Sequence, residues 1–383
     1  MEDQKLFGRV SADSELYFKL KMRRVKVQIL GDKATVVQID DSLVISQIIF
    51  KVSEQIGLTN PEEYGMKRPE DKDDYSKWLP LDRTLENAGI MPGDVLLFMK
   101  KLFFYDKFID EKDEVALNML YCQTRDAILN CSLELESEEE VALFGSIIYL
   151  DTVGPYDDSK GEPKLTDLSP YVPNISKWHK SKKLAAAIVR RYKALGGPTL
   201  KKYTSAAGAP DHQAYQAAYV SFMAQNKSKF CQIARTKPLY GYVYFDASMK
   251  RRRRRALRKS NKFEAMPVVL ALGRDYFLVL DPKKDREIVI EHHYQEVLQW
   301  QGTGNKLTID CAEYEDSLLT FLTSDAEPIA EYLRSYISLH RRRVDDPLAD
   351  PAALTGADDD AIATGDAGGA GPSGRSFAVR PPA

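Results

Sequence analysis

The sequence is poor in the residues that would make it secreted, membrane-spanning or metal-bound. Its four cysteines, Cys122, Cys131, Cys231 and Cys311, are scattered over 383 residues with no CxxC spacing, which argues against both a structural zinc site and a disulfide framework. A reduced, cytoplasmic protein is the reading that follows. No N-terminal apolar stretch of the signal-peptide kind is present, and no run approaches the roughly 18 apolar residues of a membrane span. There is no Walker loop, no GxSxG and no HExxH. The glycines between 365 and 374 lie in a polar tail, and His292-His293 reads as a turn without further ligands nearby. No enzyme activity, cofactor or metal site is therefore expected.

Acid is what the middle of the chain lacks. Residues 177–259 carry 21 Lys and Arg against only Asp211 and Asp246, whereas residues 1–176 carry 21 basic against 33 acidic side chains and residues 260–383 carry 12 against 21. The formal net charge of −2 thus conceals a strongly basic centre, which expects an anionic partner, phospholipid or nucleic acid. Within it, Lys182, Lys183, Arg190 and Lys193 fall on one arc of a helix, opposite Leu184, Ile188, Tyr192 and Leu195. A second cluster is the run Lys250, Arg251, Arg252, Arg253, Arg254 and Arg255, continued by Arg258, Lys259 and Lys262 and followed by Phe263. By itself such a run also suits a nuclear-import signal, a nucleic-acid contact or a solvated loop.

Taken in order, the apolar alternation Val25, Val27, Ile29 predicts a strand, Gly31-Asp32 a turn and Thr35 to Ile39 its hairpin partner. Ser42 is the expected N-cap of a helix with Ile45, Ile48, Ile49, Val52 and Ile56 on its face and Gly57 at its end. Trp78-Leu79, Thr84-Leu85 and Val95 to Met99 read as short strands. Leu102 to Tyr105 reads as an aromatic strand ahead of a helix whose buried face is Leu117, Leu120, Tyr121, Thr124 and Ile128. Further helices are predicted from Ser137, from Lys177 to Leu195 and from Asp211 to Ile233. The period then returns to two: Tyr240 to Phe245, Pro267 to Leu272, Tyr276 to Leu280, Glu287 to Glu291, Glu296 to Trp300, Lys306 to Cys311 and Leu318 to Thr323 are expected as seven short strands. A last helix, from Ser324, presents Ile329, Leu333, Tyr336, Ile337 and His340. The Ala, Gly, Asp and Pro content beyond Arg343 is too polar for a core and predicts a disordered tail.

At the junction FFYD (Phe103 to Asp106) and VALNMLYCQTRDAILN (Val115 to Asn130), the chain closely resembles a talin head, a FERM domain. Further pieces carry the likeness: IGLTNPEEYG from Ile56, WLPLDRTLENAGI from Trp78, and YLRSYI in the closing helix. The resemblance implies an α+β fold of three FERM lobes: a ubiquitin-like roll over 23–101, a helical bundle over 102–236 and a PH/PTB-like β-sandwich with its C-terminal helix over 237–343. A leader (1–22) and a disordered tail (344–383) flank them. The long basic insertion of the talin first lobe is replaced by the short acidic Lys67 to Lys77, no kindlin-type insertion interrupts the second lobe, and no rod follows within the chain.

The resemblance also implies a role: a cytoplasmic adaptor, peripheral at the inner face of the plasma membrane and linked to the cytoskeleton, with actin as a further partner. Its anionic partner would be a phosphoinositide membrane, bound by the helical arc and the arginine run, with Phe263 at the position of an inserting apolar residue. Its peptide partner would be an integrin-type receptor tail with an Asn-Pro-x-Tyr turn. That tail would add to the edge of Glu296, Val297, Leu298, Gln299 and Trp300, near Leu318. Gln299 stands where talins usually carry a basic residue, and Leu318 where an aromatic one is expected. From the residues alone, the alternative reading of Trp300 is a plain core or edge aromatic. The alternative from a different class is a nuclear or nucleic-acid-binding protein using Arg251 to Arg255; the aromatics near that run do not interleave as a base-stacking platform would.

Overall fold

The hairpin expected near the start forms as β1 (Met22–Ile29) and β2 (Lys33–Asp40), in register from Met22 opposite Asp40 to Ile29 opposite Lys33. The structure, a computed structural model, describes residues 22–31, 33–104, 113–157, 161, 163–198, 202–203, 211–252, 263–284, 286–311 and 318–345. Val25, Val27 and Ile29 turn inward to meet Ile45, Ile48, Ile49 and Val52 of α1 (Ile45–Ile56), so the two periodicities read from the sequence close one core. β3 (Tyr64–Lys67) and β4 (Val95–Lys100) complete a sheet of order β2-β1-β4-β3. Three expectations are corrected here. The cap of α1 is Val44, whose N–H donates to Gln47 Oε1 at 3.1 Å, while the Ser42 N–H donates to Asp40. Trp78-Leu79 and Thr84-Leu85 are not strands; Thr84 makes a single bridge, with Val44. The unforeseen strand is β3, buried at all four positions and therefore without alternation.

Leu102 to Phe104 follow β4 as irregular chain rather than as a strand, and Tyr105 lies outside the described residues. The helices then start on their side-chain caps. Asp113 accepts from the Ala116 N–H ahead of α2 (Glu114–Leu129), and Ser137 from Glu140 ahead of α3 (Glu138–Val153). Ser181 accepts from Leu184 ahead of α4 (Lys182–Leu195), and Asp211 from Ala214 ahead of α5 (His212–Arg235). The helix expected from Lys177 is thus shorter, with a single separate turn at Ser176–His179 before it. The face Leu117, Leu120, Tyr121, Thr124 and Ile128 is buried, and Tyr121 and Phe144 meet Phe230 of α5 edge-on at 4.9 and 4.8 Å.

The third lobe is a seven-stranded antiparallel sheet of order β8-β7-β6-β5-β11-β10-β9. Its strands are β5 (Val243–Arg252), β6 (Phe263–Leu272), β7 (Tyr276–Asp281), β8 (Glu287–His293), β9 (Val297–Thr303), β10 (Lys306–Cys311) and β11 (Leu318–Leu322). The closing helix α6 (Ala326–Asp345) begins two residues later than expected, and its stripe Ile329, Leu333, Tyr336, Ile337 and His340 is buried.

Residues 1–342 form one compact unit and residues 343–383 a second, of which only the end of α6 is described. Within the first, the lobes meet directly. Trp78 Nε1 donates to the Tyr332 hydroxyl at 2.6 Å, and Lys101 Nζ pairs with Glu331 at 2.5 Å. Lys72 pairs with Asp126 at 2.5 Å, and the Gln123 amide clasps both the N–H and the C=O of Lys100. The short acidic segment after Lys67 therefore touches the helical lobe through Lys72, and its far end, Trp78, touches α6.

Candidate peptide groove and basic surface

An edge strand is defined by what it lacks, a second neighbour. β9 pairs with β10 alone, so the outer row of its main-chain N–H and C=O groups has no strand partner among the described residues. Beside it runs α6, and two contacts fix their separation. Trp300, half-buried, donates its indole N–H to the Ala330 carbonyl at 3.0 Å. Gly302 lies so close to the helix that a Cβ there would come within 2.1 Å of the Ala326 carbonyl oxygen. The indole thus ties β9 to α6 and packs on the core.

The expected peptide-site residues do not all gather there. Glu296 precedes β9 in a one-turn helix and shares a 2.7 Å hydrogen bond with His292 Nδ1. Leu298 is 57% exposed, at the irregularity where the β9–β10 register shifts, and Gln299 is exposed beside it. Residues directly opposite in a ladder share a face. Trp300 opposes Ile309, which opposes Leu319; Gln299 opposes Asp310, which opposes Leu318. Leu318 therefore lies on the sheet face opposite to Trp300 and two strands away, and does not line the same pocket. What sequence reasoning missed was the helix side of the groove, Ala326 and Ala330, and Gly302 facing it; small residues at i and i+4 on α6 were the available signal.

On α4, Lys182, Lys183 and Arg190 are exposed and Lys193 is half-buried over the Tyr156 ring, opposite buried Leu184, Ile188 and Tyr192. Lys183 pairs with Glu138 at 3.1 Å. Arg190 and Lys193 rim a hollow of about 530 Å³ whose apolar wall includes Leu165, Ala185 and Val189. The arginine run is partly strand rather than loop: the β5–β6 ladder continues through Lys250–Ala265 and Arg251–Glu264 to Arg252–Phe263. Lys250 is exposed, while Arg253, Arg254, Arg255, Arg258, Lys259 and Lys262 lie outside the described residues. Among the described residues no helix is long and apolar enough to cross a membrane.

The two histidines set aside in the sequence do have neighbours, which corrects that reading. His292 and His293 end β8 rather than forming a turn, and Asp275, His293 and His340 bring ligand-type atoms within 4.8 Å of one another. Hydrogen bonds already engage both imidazoles of that cluster: His340 Nε2 donates to the Arg274 carbonyl at 2.8 Å, and His293 Nδ1 accepts the Gln295 N–H at 3.1 Å. The cluster ties α6, the β6–β7 turn and β8 together.

Comparison with known proteins agrees with the geometry. The profile of the FERM central domain matches residues 109–245, and that of the PTB domain (IRS-1 type) matches residues 252–341. Talin-A of Dictyostelium discoideum is 26% identical over 340 residues, covering 88% of this chain and 12% of the relative. Talin-2 of Mus musculus is 25% identical over 356 residues, covering 85% of this chain and 14% of the relative. The chain thus spans under a sixth of either relative's length. In structure, the FERM and C-terminal domain complex of Drosophila Merlin superposes with a TM-score of 0.63 at 15% identity, covering 84% of this chain and 98% of the other. A MyTH4-FERM domain of Dictyostelium discoideum myosin VII gives 0.56 at 14% identity over 83% and 59%. A ubiquitin-like roll, a helical lobe and a PTB-like lobe follow one another as in a three-lobed FERM fold, and the talin matches run across most of the chain, so in fold it is FERM-like and in sequence it is similar to talins.

Proposed function

We propose that the chain is a non-enzymatic adaptor of the cytoskeleton-linked adhesion kind, apposed to the inner face of the plasma membrane, that receives a receptor tail on β9 and phosphoinositide membrane on its basic surfaces. The observation that carries this reading is the unpaired edge of β9 beside α6. An extended peptide satisfies that row of main-chain groups, and side-chain selection falls to the groove that Trp300 lines. An Asn-Pro-x-Tyr turn suits it because a tight turn at the strand's end directs an aromatic ring toward the helix. Absence of a basic residue at Gln299 favours a tail segment that is neutral or basic there.

For the membrane, the reading rests on Lys182, Lys183, Arg190 and Lys193 with their apolar hollow, and on the basic tip that begins at Lys250 and Arg251. Each basic residue near an anionic leaflet contributes on the order of 1 kcal/mol, so half of them suffice for surface binding. Actin and the identity of the receptor belong to the same proposal.

The test is a pair of titrations on one set of variants. Leu298→Glu changes only an exposed edge position, so it should cut the affinity of an Asn-Pro-x-Tyr peptide about tenfold while leaving the melting temperature and vesicle binding unchanged. Trp300→Ala should also lose the peptide, with a melting temperature lowered because the indole packs on the core. Full peptide affinity in Leu298→Glu would remove β9 as the docking edge. Binding of duplex DNA in preference to anionic vesicles would favour the nucleic-acid reading instead.

A further inference from the structure

A further unpaired strand lies in the first lobe. β2 pairs with β1 alone, so one side of it has no strand neighbour among the described residues. Sheet edges are ordinarily protected, and the other three edges of the two sheets are. β3 is buried at all four positions, β9 has α6 beside it and a register shift in its ladder, and β8 carries a register shift and the exposed carboxylates Glu287 and Glu291 around its apolar centre. β2 has none of these devices. Its ladder with β1 runs from Met22–Asp40 to Ile29–Lys33 without a shift, and from Ala34 to Ile39 the strand contains no charge, proline or glycine.

Alternation sorts its side chains. Val37 and Ile39 are buried in the core and Thr35 is half-buried with them, whereas Ala34, Val36 and Gln38 are exposed on the outer face, Val36 by 56%. Gln55 of α1 reaches the strand, its amide 2.7 Å from the Thr35 hydroxyl and 3.4 Å from the Val36 carbonyl; the second contact is long and costs little to exchange for a main-chain bond. An antiparallel copy of β2 placed on a two-fold axis at Val36 keeps every face matched. Val36 meets Val36, Ala34 meets Gln38 and Thr35 meets Val37, so outer residues oppose outer ones and inner oppose inner. β-Branched side chains directly opposite each other stabilise such a pair. No charges oppose one another from Ala34 to Gln38. Lys26 of β1 lies opposite Val36, so the two copies of this lysine stand three strand spacings apart, roughly 14 Å, and are largely screened.

We propose that β2 is a self-association edge: a second copy of this chain adds its own β2 antiparallel across Val36, joining two four-stranded sheets into one continuous sheet. The occupant is a copy of the same strand because the edge is complementary to itself, uncharged along the paired stretch and apolar at the axis. A contact one strand wide is smaller than the roughly 1,000 Å² of a stable interface, so the association is weak and grows with concentration. Two copies joined this way carry two β9 edges on one particle, which raises the avidity for clustered tails. β2 belongs to the first lobe, and its pairing requires no ligand on β9 or on the basic surfaces.

Sedimentation velocity on the full chain, from about 1 to about 300 µM, should show a monomer passing into a dimer, as an interface of this size requires. Val36→Lys sets two ammonium groups against each other on the axis and should raise the dimer dissociation constant about tenfold or more at an unchanged melting temperature. Val153→Lys, at an exposed apolar position ending α3, should leave dimerisation as it is. Cysteine cross-linking reads the register without depending on stability. Opposed Cα atoms in a hydrogen-bonded antiparallel pair lie about 5.5 Å apart, within disulfide reach. Val36→Cys should therefore cross-link to its own copy under mild oxidation, whereas Ala34→Cys and Gln38→Cys should cross-link only when mixed. The native Cys122, Cys231 and Cys311 are buried and Cys131 is half-buried, so the unaltered chain supplies the background. A monomer at every concentration would leave the edge to a partner of another kind and overturn the proposal. So would a dimer that Val36→Lys does not weaken, or cross-linking of Ala34→Cys with itself as readily as with Gln38→Cys.

Discussion

Lys67 allows a quantitative test of how the acidic segment after β3 is held. Its side chain is fully buried, and its ammonium donates to the carbonyls of Asp71, Lys72 and Asp74 at 3.2, 3.1 and 2.9 Å, with the Trp78 ring centroid 4.2 Å away. Burial is the main influence on its pKa and, despite the attraction of Asp74 and Asp71, pulls it from 10.5 down to about 8. Between those two values the unfolded chain binds the proton that the folded chain has released. Stability therefore rises with pH across that window, by about 1.4 kcal/mol per pH unit and about 3 kcal/mol in all. Lys67→Met keeps the apolar stem and removes the titration. It also leaves three loop carbonyls to water, so the segment through Tyr75 should loosen. Urea unfolding of both proteins at several pH values from about 7 to 10.5 separates the effects: a constant offset reports the lost hydrogen bonds, and the wild type should gain about 3 kcal/mol on the variant as pH rises. Parallel curves would refute the buried-charge account. Because buried tyrosines such as Tyr64 and Tyr121 have raised pKa values and oppose the trend in both proteins alike, only the difference is diagnostic.

Three further outcomes follow from other contacts. Gly302→Ala places a Cβ against the Ala326 carbonyl, so β9 must shift from α6; a loss of about 1 to 3 kcal/mol in chemical unfolding is expected, with altered peptide affinity, and a neutral result would show that the groove is looser than its backbone contact indicates. Trp78→Phe removes the donor to the buried Tyr332 hydroxyl between first and third lobes and should cost about 1 to 3 kcal/mol; Tyr332→Phe alongside it should restore part of that loss, because the orphaned hydroxyl goes too. Replacing Arg251 to Arg255 with glutamine should strongly reduce sedimentation with phosphatidylinositol bisphosphate vesicles at an unchanged melting temperature, and unaltered sedimentation would remove this segment from the membrane surface.

Local physics was legible in the sequence because it is carried by neighbours in the chain. Ser137 and Asp211 cap helices since an Asx or Ser oxygen reaches an N–H three residues on, and the faces Leu117–Ile128 and Ile329–His340 announce themselves by helical spacing. The seven strands of the third lobe were read by alternation, though several ends were misplaced: β5 begins at Val243 and runs into the arginines, β6 already begins at Phe263, and β9 starts after Glu296 and continues to Thr303. β3 escaped because a strand buried on both faces has no alternation, and because Lys67 looks like a surface residue until three carbonyls from the following segment surround it.

What the sequence by itself determined is the order of elements, the three lobes and the placement of charge, all consequences of periodicity and composition. The tertiary structure alone decided which surfaces work together. Whether β9 is an edge depends on where six other strands pair, and whether Leu318 shares a pocket with Trp300 depends on a ladder register that places them on opposite faces. That Trp78 meets Tyr332, 254 positions later, and that Phe103, Arg235 and Arg274 wall one cavity, are facts of lobe packing. Such contacts leave no periodic trace, because each joins residues whose separation along the chain is unrelated to their distance in space.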